Sequence, residues 1–422
     1  MTRPPDDPTS ATVAHAPGVL RALPGAVFML LMMVGLATTL WATWRGHLDL
    51  FPQGVSIPTF MDGRVMQKMA DSLSLAPLPA ESAKLERGFS WRAIGDLGPR
   101  VRQGCPGWLF LADELRPYPH AGRDADARIQ DVLAVKRELA QRKINLLVVV
   151  VPDKARIEAP QLCGVARPSS FAYRVNNWTA ALAHAGIDTL DLTPALAAVQ
   201  ADPQGMRAFL RTDTHWNETG AAVAAAEIAR RVNSRGINVT PRVDYTTATT
   251  QAARPGDLVR LAGIDWLAPQ HQPLPELAAN TVFKKRDAAQ PSASPVAAGT
   301  PASAVQSTPS ASAPSSSSGT SNDAADDLFG DDNLPTVALI GTSFSRTSNF
   351  VGFVERDLHT RIGNFAKDGG DFEGSARDYF GGPAFKETPP KLVIWEIPER
   401  VIQAPRDGLP VWTTSKKTSG AQ

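Results

Sequence analysis

The segment Thr212-Asp213-Thr214-His215-Trp216-Asn217 carries an acid and an imidazole at a spacing that suits acid–base chemistry. Alternate residues of an extended segment share a face, so the carboxylate of Asp213 can reach the ring of His215. Such a carboxylate orients the imidazole and stabilises its protonated form. The pair is either a general base in need of a nucleophile or a structural hydrogen bond at the start of a helix.

A nucleophile is available far downstream, in Leu339-Ile340-Gly341-Thr342-Ser343-Phe344-Ser345. Ser343 follows an aliphatic strand and precedes a helix, and ligands of parallel sheets bind beyond the carboxyl ends of strands. The free N–H groups of a helix start can hold an oxyanion. Alone, Ser343 could equally cap a helix, and position 345 departs from the G-x-S-x-G elbow. With the upstream pair it predicts a Ser343–His215–Asp213 triad.

Three further residues are candidate contacts of a substrate. Trp216 could stack on a sugar ring or pack beside the catalytic loop. Gly369 and Gly370 could add an oxyanion donor to the Ser343 N–H, or form an ordinary loop turn. A metal at Asp213 and His215 has no further ligand at a suitable sequence spacing, so neither a metal nor a cofactor is expected.

One α/β alternation supplies the elements that must position these residues. The segment Ile144–Val151 is almost wholly aliphatic, which is typical of a parallel strand buried on both faces. Further strands are predicted at Ile187–Leu192, Thr336–Ile340 and Leu392–Trp395, with helical periodicity between them. The pattern predicts a three-layer α/β/α sandwich with a mostly parallel sheet.

Composition divides the rest of the chain. A Ser/Pro/Ala-rich stretch cannot bury enough apolar surface to offset its ordering entropy, which predicts a disordered insertion within the domain. The expected organisation is a disordered tail over 1–20, a membrane anchor over 24–44, a stalk over 45–100, a catalytic domain over 101–400, its insertion over 284–332 and a polar tail over 401–422.

The run from Pro24 to Trp44 is apolar and uncharged. About 20 helical residues cross a hydrocarbon core of ~30 Å, whereas the apolar core of a cleaved signal peptide has roughly 7–15. The run therefore predicts an uncleaved signal anchor with Trp41 and Trp44 at the interface, and a large domain outside the cytoplasm.

Charge and cysteine content limit the partners and the compartment. Forty-three basic residues balance forty-two acidic ones, and no basic stripe with aromatics is present, which argues against a nucleic-acid partner. The chain has two cysteines, Cys105 and Cys163. In an oxidising compartment they could pair, or they could be two unrelated buried thiols.

The motifs together resemble the SGNH-hydrolase-like proteins of the alginate O-acetyltransferase group. In that group the Asp-x-His pair precedes the serine, the reverse of ordinary SGNH hydrolases. The resemblance covers about residues 55–400, apart from the insertion. It rests on residues 213–217, 341–345 and 394–400, with weaker matches at 107–110, 151–154 and 256–258.

The resemblance implies a single-pass protein of the inner membrane whose periplasmic domain acetylates an exopolysaccharide. Ser343 would be the nucleophile, His215 the base and Asp213 its orienting acid. A membrane-bound O-acyltransferase partner would supply the acetyl group. The carbohydrate-binding module of some members is not expected here, and the insertion is not part of the family pattern.

Two alternatives remain open at the level of sequence. A carbohydrate acetyl esterase would use the same triad with water as the acceptor. A non-catalytic, membrane-anchored scaffold of a polysaccharide-synthesis complex would need the fold but not the triad.

Overall fold

The computed structural model describes residues 18–50, 60–61, 63–200, 206–286, 334–406 and 411–412. The chain separates into two compact units, one formed by residues 1–97 with 263–267 and the other by 98–262 with 268–422. Residues 1–17 of the expected N-terminal tail lie outside the described residues.

The first unit contains the helices α1 (Gly18–Trp44), α2 (Arg64–Ser74) and α3 (Pro77–Ile94). Within α1, the 22 residues Leu23–Trp44 form a helix long and apolar enough to cross a membrane. The hydroxyls of Thr39 and Thr43 donate to carbonyls one turn earlier, at 2.8 and 2.9 Å, so these polar groups are satisfied within the helix. The N-terminal segment is thus a single-pass anchor or a signal sequence.

The second unit alternates strands and helices along the chain. Its strands are β1 Val101–Gln103, β2 Leu109–Leu111, β3 Asn145–Val151, β4 Asp188–Asp191, β5 Tyr245–Arg254, β6 Glu276–Lys285, β7 Val337–Ile340, β8 Ile362–Asn364 and β9 Leu392–Pro398. Its helices are α4 Ala121–Gln141, α5 Lys154–Ile157, α6 Arg174–His184, α7 Thr193–Gln200, α8 Glu218–Ser234, α9 Asp257–Leu261, α10 Phe350–Leu358, α11 Gly374–Gly381 and α12 Pro383–Glu387.

In the part of the chain that the structure describes, five strands form the central sheet in the order β4-β3-β9-β7-β8. Each neighbouring pair is parallel. The strands β3 and β9 lie at the centre and are buried on both faces, as their continuous apolar sequences predict. All carboxyl ends of these strands therefore meet at one edge of the sheet.

Side chains alternate between two cores, one on each face of the sheet. Leu147 and Val149 of β3 pack into the core formed with α7, α8 and α10. Leu146 and Val148 pack into the core formed with α4, α6, α11 and α12. The expected three-layer α/β/α sandwich with a parallel sheet is confirmed.

An antiparallel hairpin of β5 and β6 extends from this sandwich and was not predicted. Most of its residues are exposed and many are small or polar, so neither strand shows the apolar alternation that marks a half-buried strand. Lys284 and Lys285 belong to β6 and pair with Thr246 and Tyr245, although they fall in the range expected to be disordered. Backbone pairing, not burial, orders them. The remainder of the insertion, 287–332, lies outside the described residues.

The expected polar tail also begins too early. Val401 and Ile402 are buried in the core that contains α4 and α11, at the end of the 3₁₀ turn Glu399–Val401 that follows β9. Residues 407–410 and 413–422 lie outside the described part.

Cys105 and Cys163 form a disulfide, with their Cα atoms 4.9 Å apart. The backbone of Cys105 also donates to the carbonyl of Gln161 at 2.8 Å. The bond joins the turn between β1 and β2 to the loop that follows α5. Of the two alternatives open for the cysteines, the structure has the paired one.

Candidate active site

The hydroxyl of Ser343 lies at the carboxyl edge of the sheet, on a 3₁₀ turn that follows β7 (Ser343–Arg346). Its Oγ is 2.7 Å from Nε2 of His215. On the other side of the ring, Nδ1 is 2.7 Å from Oδ1 of Asp213. The sequence places these groups 128 residues apart, and the fold brings them into one hydrogen-bonded chain.

Backbone pairing and a helix cap hold the histidine in place. Phe209 and Trp216 form an isolated antiparallel bridge, and the N–H of Leu210 donates to the carbonyl of His215 at 3.2 Å. Asn217 then caps α8, because its Oδ1 accepts the N–H of Gly220 at 3.0 Å. The strand pairing around His215 and the helix cap after it thus hold the imidazole in place.

The carboxylate of Asp213 is held in the orientation that the histidine requires. Oδ1 also accepts the backbone N–H of His215 at 2.9 Å, and Oδ2 accepts the N–H of Asp257 at 3.2 Å. Burial raises the pKa of Asp213, but the hydrogen bonds and charge of His215 outweigh burial and lower that pKa to about 2. Asp213 is therefore ionised throughout the physiological range.

A second carboxylate, Asp257, was missed at the level of sequence. Its Oδ2 lies 3.5 Å from Nδ1 of His215, and its Oδ1 accepts the N–H of Thr214 at 2.7 Å. Gly256 permits this approach, because a Cβ there would overlap the carbonyl of Thr212. Burial and the charge of Asp213 raise the pKa of Asp257. The weak family match at residues 256–258 was the sequence feature that could have identified Asp257.

Asp257 adds a third potential metal ligand to Asp213 and His215, one that sequence spacing does not reveal. Asp213, His215 and Asp257 offer ligand atoms within 4.8 Å of one another, a donor set that could hold a metal ion. However, both carboxylates already accept backbone N–H groups, and Asp213 bonds Nδ1 directly. In the structure these groups orient the imidazole.

Glu396 supports the nucleophile turn from beneath. This fully buried residue of β9 accepts the N–H of Thr342 at 2.6 Å, the hydroxyl of Thr342 at 3.0 Å and that of Ser345 at 3.0 Å. A Cβ on Gly341 would lie 2.5 Å from Oε2 of Glu396, so glycine is required for this approach. Burial raises the pKa of Glu396, and the three donors oppose that rise. The carboxylate fixes the backbone on both sides of Ser343.

We expect Glu396→Gln to lower kcat for a chromogenic ester about 10- to 100-fold, because a displacement of ~1 Å in a reacting group has that effect. The amide can accept only at its oxygen, so its NH₂ group faces hydroxyls that need an acceptor. Steady-state kinetics should show the loss in kcat more than in KM. The exposed Glu387→Gln is the control. A variant that lost thermal stability but kept full kcat would contradict a positioning role.

Lys154 holds the segment that leads into Asp213. The side chain is fully buried, and Nζ donates to the carbonyls of Leu109 (2.6 Å), Arg211 (2.9 Å) and Asp213 (2.9 Å). Burial lowers the pKa of Lys154 to about 8, against the opposing charge of Glu114. The sequence places this lysine at a strand end but does not distinguish it from a solvated side chain.

We expect Lys154→Met to lower the free energy of unfolding by about 3 kcal/mol, because three buried carbonyls lose a charged donor. Denaturant titration measures the loss, with the exposed Lys391→Met as control. The pKa of Lys154 is lower in the folded chain, so the unfolded chain binds the proton more tightly. The unsubstituted protein should therefore gain stability between about pH 8 and 10 relative to Lys154→Met. A parallel pH dependence in both proteins would contradict this assignment.

The end of β9 is tied to the loop after β3 by a buried charge cluster. The carboxylate of Glu399 accepts from Arg156 (2.7 Å), Arg167 (2.9 Å) and Arg174 (3.1 Å). It also accepts the backbone N–H of Asp153 at 3.0 Å. The matched motifs at 151–154 and 394–400 thus meet in space and fix two neighbouring strand ends at the site edge.

The proposed stacking of Trp216 on a sugar is wrong. Its side chain is 0% exposed, and its ring packs against Phe344 and Phe350 at centroid distances of 5.0 and 4.8 Å. A ring enclosed in the core cannot reach a ligand. The sequence could not separate the two roles, since a tryptophan beside a catalytic histidine suits either.

Of the two roles open for Gly369 and Gly370 from the sequence, the structure shows the loop turn. The N–H of Gly370 donates to the carbonyl of Lys367 at 3.0 Å, and Gly369 has a φ of 64° within the same turn. A turn of this kind needs a residue in the left-handed region, which glycine adopts without strain. The pair forms a loop turn.

A second Asp-x-His sequence, Asp357-Leu358-His359, has the spacing of the catalytic pair. His359 follows α10 and its Nδ1 lies 2.9 Å from Asp244, with 58% of the His359 side chain exposed. It contacts no serine hydroxyl among the described residues. The spacing alone therefore did not identify His215.

A parallel sheet with a Ser–His–Asp chain at its carboxyl edge, in which acid and histidine precede the serine, defines an SGNH-hydrolase-like protein. The family of the SGNH hydrolase-like domain, acetyltransferase AlgX, matches residues 101–305 and 293–399. The chain belongs to this family.

Individual relatives agree with this assignment. The probable alginate O-acetylase AlgJ of Pseudomonas aeruginosa is 30% identical over 331 residues, which cover 77% of this chain and 76% of the relative. The AlgJ of Azotobacter vinelandii is 28% identical over 353 residues, 82% and 81% of the two chains. The solved O-acetyltransferase domain of Pseudomonas putida AlgJ matches with a TM-score of 0.58 and 25% identity, covering 73% of this chain and 94% of that domain.

The family expected from the motifs is confirmed by these matches, and so are the fold and the enzyme class of O-acyltransferase. The names of the relatives connect the family with alginate acetylation. The roles of individual residues rest on the geometry described above.

Proposed function

We propose that this chain transfers acetyl groups to hydroxyls of an alginate-like exopolysaccharide through an acetyl-Ser343 intermediate. The observation that carries the proposal is the hydrogen-bonded chain from Ser343 to His215 to Asp213, with both links at 2.7 Å. The relatives named alginate O-acetylase support the acetyl group and the polymer class.

In the first half-reaction, Nε2 of His215 accepts the proton of Ser343 as Oγ attacks the carbonyl carbon of the acetyl donor. Asp213 stabilises the imidazolium that forms. The tetrahedral oxyanion faces the backbone N–H of Ser343, at the first residue of its turn. His215 then gives the proton to the leaving group, and the acetyl ester of Ser343 remains.

In the second half-reaction, a hydroxyl of the polysaccharide takes the place of the leaving group. His215 accepts its proton, the oxygen attacks the acetyl carbonyl and the Ser343–acetyl bond breaks. The proton returns to Oγ, so the enzyme ends unchanged and the polymer carries the ester. Water in place of the hydroxyl would make the same site an esterase, and the named relatives favour transfer.

The proposed location is the inner membrane, with α1 as a single anchor and the second unit in the periplasm. The long apolar helix supports the anchor, and the Cys105–Cys163 disulfide is typical of an oxidising compartment. The acetyl donor is then a membrane-bound O-acyltransferase partner that passes the group to Ser343. A reporter that works only in the cytoplasm can be fused to the C-terminus, and activity of that reporter would exclude this orientation.

The test of function uses the full-length protein in detergent micelles with an aryl acetate as donor. Oligomannuronate acceptors should gain one or more acetyl groups by mass spectrometry. A trapped intermediate should add about 42 Da, the net gain when an acetyl group replaces the hydroxyl hydrogen, to the peptide that contains Ser343. Release of acetate without acetylated sugar would identify an esterase. If neither acetate nor acetylated sugar forms, the result would identify a non-catalytic scaffold.

A further inference from the structure

The corner between α2 and α3 packs against the C-terminal half of α1 in the first unit. On α1, Gly35, Thr39 and Ala42 share one face at helical spacing, and Thr39 and Ala42 are buried. Ala76 of the corner is 0% exposed and packs in a cluster with Ala42. Leu78 reaches Gly35, since a Cβ at Gly35 would lie 3.3 Å from the leucine side chain. Small residues permit such close packing on a helix in a membrane.

The contacts of the corner fix its depth along the apolar span Leu23–Trp44. At a rise of ~1.5 Å per residue, Gly35 lies about 13 Å from the end of the span. At the start of the corner, the hydroxyl of Ser72 donates to the carbonyl of Asp49 at 2.8 Å, beyond the span. When α1 crosses a membrane, the chain from Ser72 to Leu78 therefore descends from the level of the headgroups into the hydrocarbon.

The side chains that the corner turns outward are apolar. Leu73 is 42% exposed and Leu75 is 72% exposed. Met66 is exposed on the same face of α2 as Leu73, whereas the exposed Lys68 and Asp71 lie on another face. A helix with separate apolar and charged faces is typical of the plane of a membrane interface.

The backbone of the corner also suits a region without water. The N–H groups of Leu75 and Ala76 donate to carbonyls in the last turn of α2 at 3.0 and 3.1 Å. Pro77 and Pro79 have no N–H, and the hydroxyl of Ser74 donates to a carbonyl of α2 at 2.6 Å. Hydrocarbon offers no hydrogen-bond partner, so a segment at that depth must satisfy its own polar groups.

We propose that the corner, residues 73–79, inserts into the periplasmic leaflet beside α1. Leu73 and Leu75 then contact lipid acyl chains, and α2 lies in the plane of the headgroups. The inference rests on the proposed location of the anchor and not on acetyl transfer. Glu81 and Lys84 are exposed and paired at 2.6 Å, which limits the inserted part to the start of α3. Attachment through both α1 and the corner holds the first unit at a fixed height above the membrane.

Lipid is favoured over a protein partner as the occupant of this surface. The contacts with α1 lie within one chain, so they place the corner at this depth without a second protein. The same contacts favour an anchor over a cleaved signal sequence. Loss of α1 would uncover Ala76 and Leu78, which pack against Ala42 and Gly35.

The test uses the full-length protein in vesicles of phosphatidylethanolamine and phosphatidylglycerol. Both native cysteines are in the disulfide, so a single introduced thiol can carry a fluorophore. The labelled variants are Leu73→Cys and Leu75→Cys at the corner, Leu36→Cys in the span and Lys68→Cys on the polar face of α2 as the control. We expect brominated lipid to quench the corner and span labels at least about twofold more strongly than the control label. Aqueous iodide should show the reverse order.

Each other outcome overturns the inference in a distinct way. Corner labels that behave like the control, with the Leu36→Cys label quenched by brominated lipid, would exclude insertion and leave the anchor in place. Corner labels shielded from both quenchers would show that protein, not lipid, covers the corner. If iodide quenches the Leu36→Cys label, the proposed anchor fails and the inference fails with it. Quenching does not depend on ester turnover, so the proposed acetyl transfer is tested separately.

Discussion

Ser343→Ala and His215→Ala are each expected to remove nearly all ester turnover, with kcat lower by about 10³- to 10⁶-fold. Ser343 forms the covalent bond, and His215 makes its hydroxyl nucleophilic through the 2.7 Å contact. Neither side chain fills the core, so the melting temperature should change little. Steady-state turnover of a chromogenic acetyl ester and thermal unfolding measure the two effects.

The double variant gives the sharper result. Members of one catalytic unit are not additive, so Ser343→Ala/His215→Ala should be little slower than either single variant. The exposed His184→Ala on α6 is the control for loss of an imidazole. If the effects of the two substitutions multiply, the residues act independently and the triad is wrong.

The fold was predictable where burial dictates residue type. The aliphatic run of β3 and the apolar residues of β9 mark strands that are covered on both faces, and both lie at the sheet centre. The hairpin β5–β6 was not predictable, because exposed strands held by backbone pairing need no apolar alternation. Residues Lys284 and Lys285 illustrate this, since their composition suggested disorder.

The catalytic residues were predictable where they lie close together in the sequence or follow a recognisable strand. Asp213 and His215 can interact locally, and Ser343 follows a recognisable strand. Asp257 and Glu396 act through contacts that the tertiary fold creates, 44 and 54 residues from the groups they bind. The family motifs at 256–258 and 394–400 include these two residues, but no local pattern indicates which groups they contact.

Burial explains both the wrong role considered for Trp216 and the missed role of Lys154. Trp216 and Lys154 are both fully buried, although the sequence alone is compatible with a sugar contact for Trp216 and a solvated side chain for Lys154. Residue type does not report which side of a loop faces the core. In both cases the structure shows side chains that hold the catalytic segment from within.

The two carboxylates beside His215 should differ strongly in their contribution. Asp213→Asn is expected to lower kcat by about 10³- to 10⁴-fold. The amide can donate to Nδ1 of His215 and so stabilise the tautomer that carries its proton on Nε2. In that tautomer Nε2 cannot accept the proton of Ser343. Asp257 lies 3.5 Å from Nδ1, compared with 2.7 Å for Asp213, so Asp257→Asn should cost only about tenfold.

Charge coupling between the two acids makes the comparison decisive. The charge of Asp213 contributes to the raised pKa of Asp257, so Asp213→Asn lowers that pKa and leaves Asp257 more fully ionised beside the ring. Asp257 can then replace part of the lost function, and Asp213→Asn/Asp257→Asn should be slower than Asp213→Asn alone. Equal kcat values for these two variants would show that Asp257 does not act on the imidazole.

Stability against acid provides an independent measurement on Asp213. Its pKa is about 2 in the folded chain and about 3.9 in an unfolded one, so the unfolded chain binds the proton more tightly. The stabilisation is present above about pH 4 and is lost as the pH falls towards 2. Asp213→Asn should therefore lose less stability than the unsubstituted protein over that interval, in chemical denaturation at each pH. An identical acid dependence in both proteins would mean that Asp213 is not held ionised by His215, and the orientation of the imidazole would need another cause.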